Sequence, residues 1–309
     1  MLLTKNIKGT NIFRTVFFMP NLIGGSADLA PSNKSNMKGR GDFSAETPEG
    51  DNIHFGVREH AMAAICNGIR LHGGLRPYCA TFFVFSDYMK NAMRMSSIMD
   101  LNIPYILTHD SIGVGEDGPT HQPIEHLAAL RATPDTLVFR PADTKETAAC
   151  YIAALRHGLP AVMALTRQNL PQYAETSRDV ERGAYILRDT AAGLPDVILM
   201  ASGSEVQCIM EAADALEKED ISVRVVSVPC MDLFEQQDVE YQESVLPRAV
   251  TARVAVEAAS SFGWHKYTGL DGKVIAIDHF GASAPAGTLF QEFGINTQAV
   301  IDAARSLVK

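Results

Sequence analysis

Fifteen residues hold the densest chemistry of the chain: His109-Asp-Ser-Ile-Gly-Val-Gly-Glu-Asp-Gly-Pro-Thr-His-Gln-Pro123. Two histidines, three acids, three glycines and two prolines follow directly on the apolar run Tyr105-Ile-Leu-Thr108. That mixture cannot bury a face, so it predicts an exposed loop at a strand end. Such loops on a rigid support tend to carry binding and catalytic groups. The plain alternative is a Gly/Pro-rich connector that merely bears charge.

Two familiar chemistries can be tested on this segment. Gly113-x-Gly115-x-x-Gly118 has dinucleotide-binding spacing and follows a strand. Glu116 and Asp117, however, would place negative charge where a pyrophosphate must sit, and no helix opens after Pro119. His109, Asp110, Glu116, Asp117 and His121 offer nitrogen and oxygen donors to a metal. They do not form an EF-hand loop, because Ile112 and Val114 fill the third and fifth positions counted from Asp110. Nor are two histidines set four apart on a helix. A metal-dependent hydrolase stays open as a reading of a different class.

Two further candidates precede the loop. Phe82, Phe85 and Tyr88 recur every three residues after a strand-like run, which predicts either ordinary core or an apolar slot for a flat heterocycle. Glu59, in Phe55-Gly-Val-Arg-Glu-His60, opens a predicted helix. There it is either a first-turn acid complementing the helix dipole or a carboxyl beside that slot, able to exchange a proton with a ring nitrogen. Ser260, Ser261 and Ser283 have no accompanying triad and read as turn residues.

The elements that must position these groups alternate in type. Helices are predicted at Glu59–His72, 86–99, 124–132 and 144–157, and strands at 77–81, 105–108, Leu137–Phe139 and Ala161–Leu165. A second block has strands at 196–201, 223–228, 253–258 and 273–277, a helix from Ser204 to about 219, and a last helix from 297. Ser204 fits an N-cap, with Gln207 in the capping-box position. This alternation predicts an α/β fold: two doubly wound α/β domains with mostly parallel sheets, over 20–175 and 190–309 and joined near 172–190. Residues 1–19 fit neither block.

Composition bounds the rest. With 309 residues, 46% hydrophobic and 20% charged, the chain suits a soluble globular protein with more than one core. A net charge of -9 without a basic run argues against a nucleic-acid footprint. Five scattered cysteines without C-x-x-C spacing predict reduced thiols in the cytoplasm. No leader-like apolar core and no run of roughly 18 apolar residues is present, which predicts no export and no membrane span.

Together these segments resemble the transketolase family. Gly24-Gly-Ser-Ala-Asp-Leu-Ala-Pro-Ser-Asn33, Phe55-Gly-Val-Arg-Glu-His60, residues 81–88, residues 108–123 and Leu165-Thr-Arg-Gln-Asn-Leu-Pro171 match in family order, from about Pro20 to the C-terminus. The resemblance implies a pyrimidine-binding domain followed by the family's C-terminal domain. It implies thiamine diphosphate as cofactor and transfer of a two-carbon ketol unit between sugar phosphates, in the pentose phosphate pathway. It implies that Glu59 faces the cofactor N1′, that Phe82, Phe85 and Tyr88 line the ring pocket, and that Asp28 lies close to the cofactor. Ser32 and Arg167 would hold the sugar phosphate, His109 and Asp117 would contact the substrate, Asp117 through a sugar hydroxyl, and His121 would shuttle protons at the reacting centre.

One part of the family pattern is missing. The Gly-Asp-Gly motif, with its later Asn, that binds the diphosphate and its divalent metal has no counterpart; Gly50-Asp51-Asn52 and Leu270-Asp271-Gly272 do not qualify. The substrate-phosphate arginine of the helix before Gly24 is also unrecognisable, and Arg14 is a poor substitute. The expectation is therefore half a site, ligating no metal itself. Mg2+ or Ca2+ would be held by an N-terminal transketolase subunit, around a homodimer core or in a heterotetramer with two copies of each chain. Alternatives are a truncated, inactive product or a non-catalytic partner subunit.

Overall fold

Side-chain alternation along the first strands decides the architecture of this computed structural model. It describes residues 2–3 and 19–308, so Arg14 and the rest of 4–18 lie outside the described residues. A short pairing of Leu2–Leu3 (β1) runs antiparallel to Asn169–Leu170 (β8). Between them in sequence come Leu22–Ser26 (β2), Asn52–His54 (β3), Arg76–Phe82 (β4), Pro104–Thr108 (β5), Leu137–Phe139 (β6) and Ala161–Leu165 (β7). These six form one sheet in the order β3-β2-β4-β5-β7-β6, parallel throughout.

Successive strand residues face opposite sides. Cys79, Tyr105, Leu107, Val162 and Ala164 pack under Met62, Ala63 and Cys66 of Glu59–His72 (α2) and Met89, Ala92 and Met93 of Ser86–Ile98 (α3). Tyr78, Ala80, Ile106, Phe139, Met163 and Leu165 face the other way, onto Cys150, Tyr151, Ala153 and Ala154 of Thr144–Arg156 (α5). Ala30–Asn33 (α1) and His126–Arg131 (α4) are short helices after β2 and before β6. A parallel sheet needs both faces covered, and these helices supply the cover.

The second sheet has the order β13-β12-β10-β11-β9, built from Tyr185–Asp189 (β9), Val197–Ala201 (β10), Val223–Ser227 (β11), Arg253–Val256 (β12) and Lys273–Ile275 (β13). Four strands run parallel, and β9 closes one edge antiparallel to β11. That edge strand lies inside the stretch read as a joint at 172–190. Only alternate residues of it, Tyr185 and Leu187, are buried, so it lacks the continuous apolar signal of a central strand. The helices of this unit are Val206–Leu216 (α6), Met231–Glu235 (α7), Val239–Val245 (α8), His265–Thr268 (α9), Ala286–Glu292 (α10) and Thr297–Arg305 (α11).

Each sheet has a core of its own on one face, and the two also share a third. One apolar cluster runs from Ile106, Phe139 and Tyr151 through Leu187, Leu199 and Val225 to Ile209 and Val300. Each such large side chain stabilises the fold by about 1.5–3 kcal/mol when fully buried. The proposed capping role of Ser204 is not observed. Ser204 sits inside a 3-10 turn, Gly203–Glu205, ahead of α6, and its hydroxyl donates to Glu205 Oε1 at 2.6 Å. Gln207 instead donates to Glu211. The buried charge of Glu205 takes the hydroxyl that would have capped the helix.

Candidate active site at the carboxyl edge of the first sheet

Every strand from β3 to β7 in spatial order ends beside a residue singled out from the sequence. Glu59 follows β3, Asp28 follows β2, Phe82 ends β4, His109 follows β5 and Arg167 lies two residues past β7. In parallel α/β sheets, ligands bind outside the carboxyl ends of the strands. The five neighbouring strands span roughly 19 Å at ~4.8 Å per step.

Glu59 is the first residue of α2, after a turn in which Gly56 takes φ +69° and the Arg58 guanidinium donates to the Phe55 carbonyl at 3.0 Å. It is only 7% exposed, yet its carboxyl has no hydrogen-bond or ion-pair partner among the described residues. A helix N-terminus tolerates the negative charge. Asp28 occupies a left-handed turn at φ +60° and is exposed. Ser26 organises that turn by accepting from Leu29 N and Asn33 Nδ2 and donating to the Ala80 carbonyl. Ser32 is exposed on α1.

The aromatic residues form a row rather than simple core. Phe82 is buried, Phe85 half-buried and Tyr88 67% exposed. Phe82 and Phe85 stack at 5.9 Å, and Phe85 and Tyr88 at 5.9 Å. Both histidines join the row: the His109 ring lies 3.7 Å from Phe82, and His121 meets the edge of Phe85 at 5.4 Å. Thr108 Oγ1 engages His109 Nδ1 at 2.8 Å, and Thr120 Oγ1 engages His121 Nδ1 at 2.9 Å. His121 Nε2 is left with no hydrogen-bond partner among the described residues.

The loop departs from its predicted exposure. From His109 to Gly115 it is buried, with a 3-10 turn at Ile112–Val114, and only Glu116, Asp117, Pro119 and Thr120 are exposed. The second domain covers it. Gln122 Nε2 donates to the Gly115 and Ala282 carbonyls, and Ser283 Oγ donates to the Glu116 carbonyl. Ser283, read from the sequence as a turn residue, is thus an interdomain clasp. Gly113 lets the loop approach Gln168, since a Cβ there would lie 2.2 Å from the Gln168 side chain. Arg167, the neighbour of Gln168, is exposed.

The metal-ligand reading of the loop fails. Asp110 Oδ2 accepts from Arg140 Nε at 2.9 Å instead. Among the described residues the one grouping of three potential ligands is Asp87, Glu125 and His126, outside the five loop residues.

Sequence reasoning missed a buried charge network behind the loop. Arg140, fully buried, faces Asp110, Glu205 and Glu257. Arg131 forks onto Glu257 at 2.7 and 2.8 Å, and Trp264 Nε1 donates to the same carboxylate at 2.8 Å. Burial works against ionisation of Glu257, but Arg131 and Arg140 more than offset it and hold its pKa down at about 2. Neither arginine stands in a recognisable spacing, so the sequence carried no signal for this pairing.

Fold and edge geometry define a two-domain α/β chain with a candidate ligand-binding face at its first sheet. Known proteins narrow this further. Residues 14–172 match the family description "Transketolase, pyrimidine binding domain", and residues 183–296 match "Transketolase-like TK C-terminal domain". A chloroplastic transketolase of Solanum tuberosum is 54% identical over 98% of this chain and 42% of its own. Transketolase of Nostoc sp. is 52% identical over 99% and 46%. The solved transketolase of Leishmania mexicana superposes with TM-score 0.95 at 44% identity, over 99% of this chain and 45% of that one. A structure described as a split gene transketolase, inactive beta4 tetramer, shares the fold at TM-score 0.80 and 24% identity, over 99% and 98%. The chain belongs to the transketolase family. It spans 41–60% of the length of the curated relatives it matches. No helix among the described residues is long and apolar enough to cross a membrane.

Proposed function

We propose that this chain forms the ring-binding and sugar-binding face of a transketolase site, for ketol transfer between sugar phosphates. The reading is carried by the Glu59 carboxyl, which is buried, unpartnered among the described residues and set on the same edge as an aromatic row. An acid so placed suits a ring nitrogen that gains or loses a proton, and the row suits the flat face of a heterocycle. When bound, thiamine diphosphate supplies the carbanion chemistry.

In this proposal Glu59 holds the proton at ring N1′, Phe82, Phe85 and Tyr88 line the ring, and Asp28 lies beside it. His121 moves a proton through its open Nε2, a role imidazole fills near neutral pH. His109 and Asp117 hold the sugar, Asp117 through a hydroxyl. Ser32 and Arg167 hold its phosphate, which a guanidinium matches as a two-pronged donor.

The diphosphate and its Mg2+ or Ca2+ call for a further part, since these 309 residues contain no Gly-Asp-Gly. We assign it to an N-terminal transketolase part, arranged around a homodimer core or with two copies of each chain. The split gene transketolase has the same fold as a polypeptide of matching extent. The five cysteines are free and four of them buried, which suits a reducing compartment, here the cytoplasm.

The test is an assay with xylulose 5-phosphate, thiamine diphosphate and Mg2+. The 309 residues alone should give no turnover, and adding the diphosphate-binding part should restore it. Glu59→Gln should then abolish activity while assembly persists. Turnover by the 309 residues alone, or an active Glu59→Gln assembly, would overturn the reading.

A further inference from the structure

Besides the contacts of Gln122 and Ser283, the second domain reaches the proposed site through a fully buried arginine. Arg140 follows β6 in the first domain and is fully buried. Its Nη1 donates to the Ser202 carbonyl at 2.9 Å and pairs closely with Glu205, both in the second domain. Glu205 is itself fixed by Ala258 N at 3.0 Å and by Ser204 Oγ. Gly203 donates from its backbone to the Arg140 carbonyl at 2.9 Å, with φ +57° and no room for a Cβ against the Arg140 side chain. Arg140 is thus clamped from the second domain.

Its Nε faces the other way, onto Asp110 Oδ2 at 2.9 Å. Asp110 is 1% exposed, and its Oδ1 is buried without a hydrogen-bond partner, so Arg140 is its anchor among the described residues. The preceding residue, His109, has φ +63°. A left-handed backbone is unfavourable for a non-glycine residue and persists only where its neighbours are held. That turn sets the His109 ring 3.7 Å from Phe82.

We infer that Arg140 is a positioning residue: gripped by Ser202, Gly203 and Glu205 of the second domain, it holds Asp110 and so fixes the turn that lays His109 on Phe82. Built on the proposed ketol-transfer reading, this gives the second domain a task in the site. Arg140 touches neither substrate nor cofactor in this scheme.

Arg140→Met leaves buried Asp110 and Glu205 without a guanidinium and risks unfolding. Asp110→Asn is the decisive variant, because it keeps the shape, removes one negative charge from the network and leaves Arg140 Nε only a neutral acceptor in place of the ion pair. The first readout is the histidine ring NMR signals of the 309-residue chain, with His109 assigned by His109→Gln. Stacking on Phe82 displaces the wild-type His109 signals. In Asp110→Asn they should move toward random-coil positions, while those of His126 stay and circular dichroism is unchanged. Glu181→Gln, which breaks the surface pair with Arg156, should move none of them.

The second readout uses the assembled enzyme. Asp110→Asn should lower kcat/KM for the ketose donor by about 10- to 100-fold, as a small misplacement does, with cofactor affinity within about threefold of wild type. Unmoved His109 signals in a folded variant would overturn the inference. So would cofactor affinity and kcat/KM falling together. A wild-type assembly that transfers no ketol unit, alongside His109 signals that do move, would sink the functional reading and leave the positioning role standing.

Discussion

Replacing Glu257 by glutamine strikes the point where the network binds the two domains. Glu257 is fully buried and takes both Arg131 hydrogen bonds, the Trp264 indole N–H and Ser202 Oγ, with Arg140 Nη1 3.7 Å away. Its pKa falls from an ordinary 4.5 to about 2: burial opposes the charge, and the two arginines outweigh burial. At ~1.36 kcal/mol per pKa unit, that depression corresponds to about 3 kcal/mol of stability at neutral pH. The sign follows from a depressed acid. The contribution is complete above the unfolded value near 4.5 and disappears as the pH drops through about 2. At pH 3 about 1.4 kcal/mol should remain. Glutamine has one acceptor oxygen for Arg131 and turns an amide donor toward a guanidinium, so most of the contribution should vanish in the variant.

Trp264 is the only tryptophan of the chain and donates to Glu257 directly. Urea unfolding followed by its fluorescence therefore reports from inside the network. We expect Glu257→Gln to unfold about 3 kcal/mol more easily than wild type at pH 7, with the gap closing between pH 4.5 and pH 2. A difference below about 1 kcal/mol at pH 7, or one that holds constant from pH 6 to pH 3, would refute the assignment of net stabilising charge to this carboxylate.

Two glycines give further checks. Gly183 has φ +83°, and a Cβ there would lie 2.1 Å from Phe234 N and 2.3 Å from the Cys230 carbonyl, both backbone; Gly183→Ala should cost about 3 kcal/mol or more by thermal denaturation, and a change under about 1 kcal/mol would show that α7 can move aside. Gly281→Ala would bring a Cβ within 1.7 Å of Gln122 Oε1. The expected result is a folded chain that loses about 1–2 kcal/mol as Gln122 releases the Gly115 and Ala282 carbonyls, with faster amide exchange confined to residues 111–123. Unchanged exchange there would mean that the clasp does not hold the loop.

Some of the candidate site was legible because its residues are adjacent in sequence to strand ends. A polar segment directly after an apolar run marks the carboxyl end of a strand. The runs before Phe82, His109 and Arg167 read that way, whereas the strands before Asp28 and Glu59 were not predicted; all five ends share one edge. Helix Glu59–His72 and strand Ala161–Leu165 have the bounds expected from periodicity. Strand β9 was not legible, because an edge strand that buries only alternate residues resembles a polar linker. Ser204 misled because a capping hydroxyl and a hydroxyl that serves a buried carboxylate look alike in sequence.

The sequence by itself determined the α/β alternation, the order of the chemistry-bearing segments and the transketolase likeness, since each rests on local periodicity or a contiguous motif. Tertiary structure decided that the glycine-rich loop is buried between domains, that Asp110 faces an arginine rather than a metal, and that Arg140 and Glu257 lock the two sheets together. These depend on pairs 30 to 167 residues apart, and a charge carries no local mark of the partner that will neutralise it.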